Sequence, residues 1–140
     1  MATTIRKADY FKLAVPNKPG QAARLLSLLK EEGVNLLAIS GFPRAGRAQI
    51  DFIPEDAALF KKAMKRAKIA VGEKKTVFLV QGDDRIGAIA EVAELLAKAD
   101  INITALDAVA DGTGRFGALL WVKPAHVAKA AKVLSSLTTQ

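Results

Sequence analysis

The chain has 140 residues, 51% of them apolar and 25% charged, which predicts a packed globular core rather than disorder. It carries 21 Lys and Arg against 14 Asp and Glu, a net charge of +7, and no cysteine, which excludes a disulfide scaffold, a cysteine zinc site and thiol chemistry. No apolar run approaches the ~20 residues of a membrane helix and the N-terminus has no signal-type stretch, so a soluble cytoplasmic protein is expected.

Phe11, Leu13 and Val15 alternate with Lys12 and Ala14, the period of a half-buried strand. Pro16-Asn17-Lys18-Pro19-Gly20 is a turn signal. A helix follows to about Glu32, with Ala22, Leu25, Leu28 and Leu29 on one face, and Gly33 ends it. Asn35 to Ser40 reads as a second strand, Gly41 to Gly46 as a loop and Arg47 to Ile53 as a third strand. Pro54-Glu55-Asp56 opens a second helix, with Lys65, Arg66 and Lys68 near its end where the helix dipole favours cations. Ile69-Ala70-Val71 is a short fourth strand at best.

The pattern then starts again. Val77-Phe78-Leu79-Val80 is a continuous apolar run, as in a strand covered on both faces. Ile89, Val92, Ala93 and Leu96 make the stripe of a third helix. Asn102 to Ala110 reads as a strand, Asp111-Gly112-Thr113-Gly114 as a turn and Arg115 to Val122 as a strand. Pro124 begins a last helix with Val127, Ala130, Ala131 and Leu134 on one face, and no further strand follows.

A shift of 67 residues superimposes the halves. Asn17-Lys18-Pro19-Gly20 falls on Asp84-Arg85-Ile86-Gly87, Leu28-Leu29 on Leu95-Leu96, and Gly33-Val34-Asn35-Leu36 on Asp100-Ile101-Asn102-Ile103. With one residue inserted, Arg47 meets Arg115 and Lys61 meets Lys129. One supersecondary unit is therefore used twice. The order βαββαβ then βαββα predicts an α+β protein of two ferredoxin-like units, residues 1–72 and 73–140. They are expected side by side, each an antiparallel sheet with its helices on one face, the second lacking its own last strand. That omission leaves the edge of the strand Val77–Gln81 open to Ile69–Val71, to the residues before Tyr10 or to another chain.

An enzyme is disfavoured. The single histidine, His126, reads as a surface residue with no second His or Cys to form a metal site, and the serines Ser135 and Ser136 sit in a polar tail. Neither a metal nor a cofactor is expected.

Two features, each present twice, resemble the ACT domain, a small ligand-sensing module of amino-acid metabolism. One is the strand–turn–helix run Val15-Pro16-Asn17-Lys18-Pro19-Gly20-Gln21-Ala22, similar to the family's Asp-x-Pro-Gly. The other is the helix exit Glu32-Gly33-Val34-Asn35-Leu36, repeated as Ala99-Asp100-Ile101-Asn102-Ile103. Asn17 replaces the family's Asp in the first copy, and Gly82-Asp83-Asp84-Arg85-Ile86-Gly87 lacks the Pro in the second. The resemblance implies a stand-alone regulator that binds a free amino acid or related small metabolite, works as a two-fold homodimer, and has a biosynthetic enzyme as possible partner.

A turn before a helix presents unpaired backbone N–H groups at the positive end of the helix dipole and suits a carboxylate. Asn17, Lys18, Pro19, Gly20 and Gln21 are the candidates in the first copy, where no acid intervenes. Asp83, Asp84, Arg85, Ile86 and Gly87 are those in the second, whose acids suit an ammonium group better. Family likeness implies that the start of the second strand from a neighbouring domain completes each site: Asn35 and Leu36 for one, Asn102 and Ile103 for the other. The same residues also have a structural explanation. Asn17 and Asp84 are natural N-caps, and Asn35 and Asn102 can close the helix-to-strand turn with their own side chains.

Lys61, Lys62, Lys65, Arg66, Lys68, Lys74 and Lys75 form a basic run that fits either a solvated helix face or an anionic partner. Nucleic acid is disfavoured. Val77–Gln81 and Arg115-Phe116-Gly117 are reminiscent of the RNA-recognition signatures RNP2 and RNP1, but Ala118 and Leu120 stand where stacking aromatics are needed.

Overall fold

The computed structural model describes residues 3–138. Its elements in chain order are β1 (Thr4–Pro16), α1 (Gln21–Glu31), β2 (Leu36–Arg44), β3 (Arg47–Pro54), α2 (Ala57–Arg66), β4 (Lys75–Asp83), α3 (Ala88–Lys98), β5 (Ala105–Ala110), β6 (Arg115–Trp121) and α4 (Val127–Leu134). Short 3₁₀ turns, Pro124–His126 and Ser135–Leu137, flank α4. Contacts divide the chain into two compact units: Asp9–Lys75, and Thr76 onward together with the N-terminal segment up to Ala8.

The N-terminal unit holds the sheet β2-β3-β1, antiparallel throughout, with Phe11 opposite Phe52 and Leu36 to Arg44 paired along β3. Its core lies between this sheet and the helices. Phe11, Leu13 and Val15 of β1 and Ile50 and Phe52 of β3 meet Leu25 and Leu29 of α1 and Phe60, Ala63 and Met64 of α2. The Phe60 ring stacks on Phe11 at 5.1 Å between centroids and tilts against Phe52 at 5.6 Å.

The C-terminal unit repeats the plan. Antiparallel β4-β6-β5 packs Phe78, Leu120 and Val122 against Val92 and Leu96 of α3 and Ala130 and Leu134 of α4. The run Val77–Val80 is buried along its whole length, as its composition predicts. The unit contributes no fourth strand after α4. The beginning of β1 occupies that place: β1 borders β4, Ile5 packs on the C-terminal core, and the Ile5 N–H donates to Thr138 Oγ1 at 3.2 Å. Gly82 of β4 lies so close to Thr3 that a Cβ would stand 2.9 Å from its hydroxyl. Of the three covers open to that edge, the residues before Tyr10 are the ones used.

Both first helices end in the same way. Gly33 adopts φ 73° and Asp100 φ 60°, and the next residue donates back into the helix, Val34 N to Leu29 O and Ile101 N to Leu96 O, each at 2.9 Å. Other details differ from the sequence reading. Ile69–Val71 forms no strand; it runs beside β1 with a hydrogen bond from Gly72 N to Lys12 O at 3.3 Å, while Ile69 and Val71 pack on the core. β2 continues through Gly41–Pro43 to Arg44, leaving a tight turn in which Ala45 and Gly46 take positive φ. β5 begins only at Ala105. His126 is half-buried rather than on the surface, and its Nδ1 has no hydrogen-bond partner.

Candidate functional site

Each unit has an open cavity at the same place in the repeat. In the N-terminal unit it measures about 310 Å³ and lies between the β1–α1 turn and the last residues of β2, lined by Asn17, Lys18, Gln21, Ala22, Phe42 and Pro43 among others. In the C-terminal unit it measures about 300 Å³ and is lined by Asp84, Arg85, Ala88, Ile89, Val109 and Ala110 among others. Every one of these six residues is the 67-residue counterpart of its partner in the first set. The two cavities are one feature of the repeated fold.

The turn is not capped as the sequence suggests. Neither Asn17 nor Asp84 is an N-cap; the caps are Gly20 at φ 90° and Gly87 at φ 79°, and no side chain accepts from the helix. The left-handed conformation turns the chain so sharply that Asn17 and Asp84 are carried onto the cavity walls. Gln21 N donates to Lys18 O at 3.4 Å and Ala88 N to Arg85 O at 3.3 Å. The N–H groups of Ala22 and Ala23, and of Ile89 and Ala90, are left without an acceptor, and Ala22, Ile89 and Ala90 line the cavities. A Cβ at Gly20 or Gly87 would meet nothing within 4 Å, so glycine is required by backbone conformation and not by crowding.

The electrostatics of the two cavities diverge. Lys18 makes no ion pair among the described residues, and Arg24 stands in the first turn of α1, which contains no acid. The counterpart of Arg24 is Glu91. Glu91 receives both ends of the Arg85 guanidinium, at 3.0 and 2.5 Å, which holds its carboxyl below the ordinary range and raises Arg85. Asp83 is paired to Arg115 at 3.0 Å. At the hairpin beyond, Asp111 accepts from the hydroxyl and the backbone N–H of Thr113, which lowers its pKa. The first cavity therefore offers uncompensated positive charge, whereas in the second Arg85 is matched by Glu91 and the Asp84 carboxyl on the wall makes no ion pair among the described residues.

Not all of the expected residues converge. Pro19 and Gly20 shape the first turn without lining its cavity, as do Asp83 and Ile86 in the second; the Ile86 side chain is fully exposed. Asn35 and Leu36 line a different cavity of about 430 Å³, with Leu26, Lys30 and Val34, beside the start of β2. The Asn35 side chain does not close its own turn; Nδ2 donates to Glu55 Oε2 at 3.2 Å while Glu55 N donates to Asn35 O. Asn102 is exposed outside the described cavities, and Ile103 packs on the C-terminal core.

One polar group is absent from the sequence reading. Gln49 and Asp51 are buried on the β3 face turned away from the helices, 8% and 4% exposed. Gln49 accepts from Arg44 at 3.3 Å and donates to Asp51 at 3.0 Å, and burial raises the Asp51 pKa against the lowering effect of that bond. Alternation along Arg47-Ala48-Gln49-Ile50-Asp51-Phe52 marks both residues as outward-facing, and pattern alone does not distinguish outward from exposed. Phe78 and Phe116, the aromatics of the RNA-recognition likeness, are buried against the helices and unavailable for stacking. Among the described residues no group of His, Asp and Glu could hold a metal ion, and no helix is long and apolar enough to cross a membrane.

No family model matches the chain, and no curated protein matches it. Solved structures do. Protein BT0572 from Bacteroides thetaiotaomicron aligns over 96% of this chain and 89% of its own, with a TM-score of 0.77 and 21% identity. The regulatory subunit of aspartate kinase from Thermus thermophilus, in a ligand-free form, aligns over 98% and 97%, with a TM-score of 0.64 and 18% identity. The fold is ACT-like. Aspartate kinase from Clostridium acetobutylicum, described as an allosteric enzyme, aligns over 98% of this chain but 34% of its own, with a TM-score of 0.55 and 16% identity. At 16–21% identity these likenesses are of fold, and two of these three structures are named as aspartate kinase or its regulatory subunit.

Proposed function

We propose that this chain is a tandem ACT-type regulator without catalytic activity, and that it binds a free amino acid or a related small carboxylate through the β1–α1 turn of its N-terminal unit. The observation that carries this reading is the N-terminal cavity, where Lys18 is unpaired and the Ala22 N–H lacks an acceptor. A carboxylate there meets a cation, backbone donors and the positive end of α1 together, in a cavity of about 310 Å³. The Arg85–Glu91 pair and the Asp84 carboxyl on its wall make the second cavity the weaker site for a carboxylate. Family likeness supplies the rest of the pocket from a neighbouring domain. Asn35 and Leu36 lie apart from the turn, which fits a two-fold homodimer in which a second copy brings the start of β2 to the ligand.

Thermal unfolding against a panel of free amino acids tests the proposal. A ligand at about a hundred times its dissociation constant adds about 2.7 kcal/mol, a shift of several degrees for a chain of this size. The expected result is one clear shift that Lys18→Glu reduces by about half without lowering the melting temperature of the free protein. No shift across the panel, or one untouched by Lys18→Glu, rejects the site. The second reading is a regulatory subunit that acts by binding an enzyme. Its support is β5, an edge strand with all six residues exposed, including Leu106 and Val109.

A further inference from the structure

The positive charge of the chain is concentrated. The N-terminal unit, Asp9–Lys75, has thirteen Lys and Arg against seven Asp and Glu, a net +6, while the remaining residues have eight against seven, a net +1. Much of the excess is on α2 and its C-terminal cap. Lys61, Lys62, Lys65 and Lys68 are exposed, and none makes an ion pair among the described residues; only Arg66 has an acid, Glu32 at 3.4 Å.

The helix does not need these lysines to fold. Its inward face is Phe60, Ala63 and Met64, and its start is fixed by Asp56, whose Oδ1 accepts from Leu59 N at 3.1 Å. The counterpart helix α4 carries two exposed lysines, Lys129 and Lys132, against the five Lys and Arg of α2 and its cap, Lys61, Lys62, Lys65, Arg66 and Lys68. Lys61 and Lys65, one turn apart, repel each other with no compensating acid on that face. A repulsive patch denser than the one its own repeat carries points to an external counter-charge.

We propose that the exposed face of α2 docks an acidic surface of another protein, a helix or loop presenting carboxylates at one-turn spacing. The patch from Lys61 to Lys68 is about 10 Å long at the rise of a helix, the reach of two helical turns on a partner. Acids close it at both ends: Glu55 and Asp56 before α2, and Glu32, paired to Arg66, beside its last turn. A phosphate backbone running past the patch would meet those acids, whereas a short acidic segment fits between them. No aromatic side chain is exposed on α1 or α2 to stack a base. The inference stands on the charge distribution, independently of the turn cavity.

The test uses the full chain and two triple variants of equal charge change, Lys61→Glu/Lys65→Glu/Lys68→Glu on the patch and Lys98→Glu/Lys123→Glu/Lys132→Glu on the C-terminal unit. Binding of a fluorescein-labelled polyglutamate peptide is measured by anisotropy at low and physiological salt, beside a short DNA duplex. The peptide is expected to bind the unaltered chain, to lose about tenfold in affinity with the patch variant and to be unaffected by the control. Equal losses in both variants reduce the effect to net charge and overturn the proposal. So does absence of peptide binding, or tighter binding of the duplex with the same dependence on the patch, which would make the partner a nucleic acid. Circular dichroism verifies folding, and Lys61→Gln/Lys65→Gln/Lys68→Gln replaces the patch variant if the glutamates unfold it.

Discussion

The two turn cavities share a backbone and differ in charge. Gly20 and Gly87 cap their helices in the same left-handed conformation, both helices begin with unused N–H groups, and the lining residues correspond one for one. Yet Lys18 leaves the wall of the first cavity cationic, while its counterpart Arg85 is neutralised by Glu91 and stands beside Asp84. Duplication preserves what the backbone requires. What lies on the cavity rim is free to diverge, and that is where the two copies differ in charge.

The largest expected effect tests whether the skeletons are equivalent. Leu29 and Leu96 are counterparts, buried to 1% and 0% exposure, and each carbonyl closes its helix. Leu29→Ala and Leu96→Ala should each cost about 2–5 kcal/mol in denaturant unfolding. A cost confined to one of them would break the equivalence. Next comes charge. Lys18→Glu should weaken carboxylate binding about tenfold by calorimetry, and Glu91→Gln, which frees Arg85, should strengthen it at the second cavity. A gain at the second cavity without any loss at the first would reverse our assignment of the stronger site.

Smaller effects sharpen the same comparison. Gly33→Ala should cost about 1 kcal/mol, because its φ of 73° disfavours a side chain, and Asp100→Gly should gain somewhat less at the matching position. Asp51 has Leu119 as its counterpart on β6, so only the N-terminal unit buries an acid there. Burial raises its pKa, so the folded chain keeps that proton to a higher pH than the unfolded chain does. Stability from this group is therefore lost as pH rises above the ordinary value of 3.8. Asp51→Asn, which can still accept from Gln49, should raise the melting temperature at neutral pH and leave it unchanged at acidic pH.

The repeat, the apolar stripes and the positions of most strands were legible because they follow from periodicity alone. Three features were not. Asn17 and Asp84 have the chemistry of N-caps, but glycine three residues later allows a left-handed turn that takes over the role. Asn35 and Leu36 carry no sign of which cavity they line, since that depends on the course of β2 past Ser40. Gln49 and Asp51 alternate correctly, but burial of the second face of β3 is a tertiary property. Of the candidate site, the turns and the acids of the second copy were visible in the sequence; the Arg85–Glu91 and Asp83–Arg115 pairs were not, because they depend on which side chains meet in space.

The first strand has a consequence for synthesis. Its opening residues fill the edge of the C-terminal unit, and Ile5 bonds to Thr138 across nearly the whole chain. Those residues leave the ribosome before the strands and helices they complete. Until α4 has emerged the start of β1 lacks its full partner unit, so the C-terminal unit closes only then. Folding of the C-terminal unit on the nascent chain should therefore be late and abrupt, governed by a long-range closure, while the contiguous unit Asp9–Lys75 is free to form earlier.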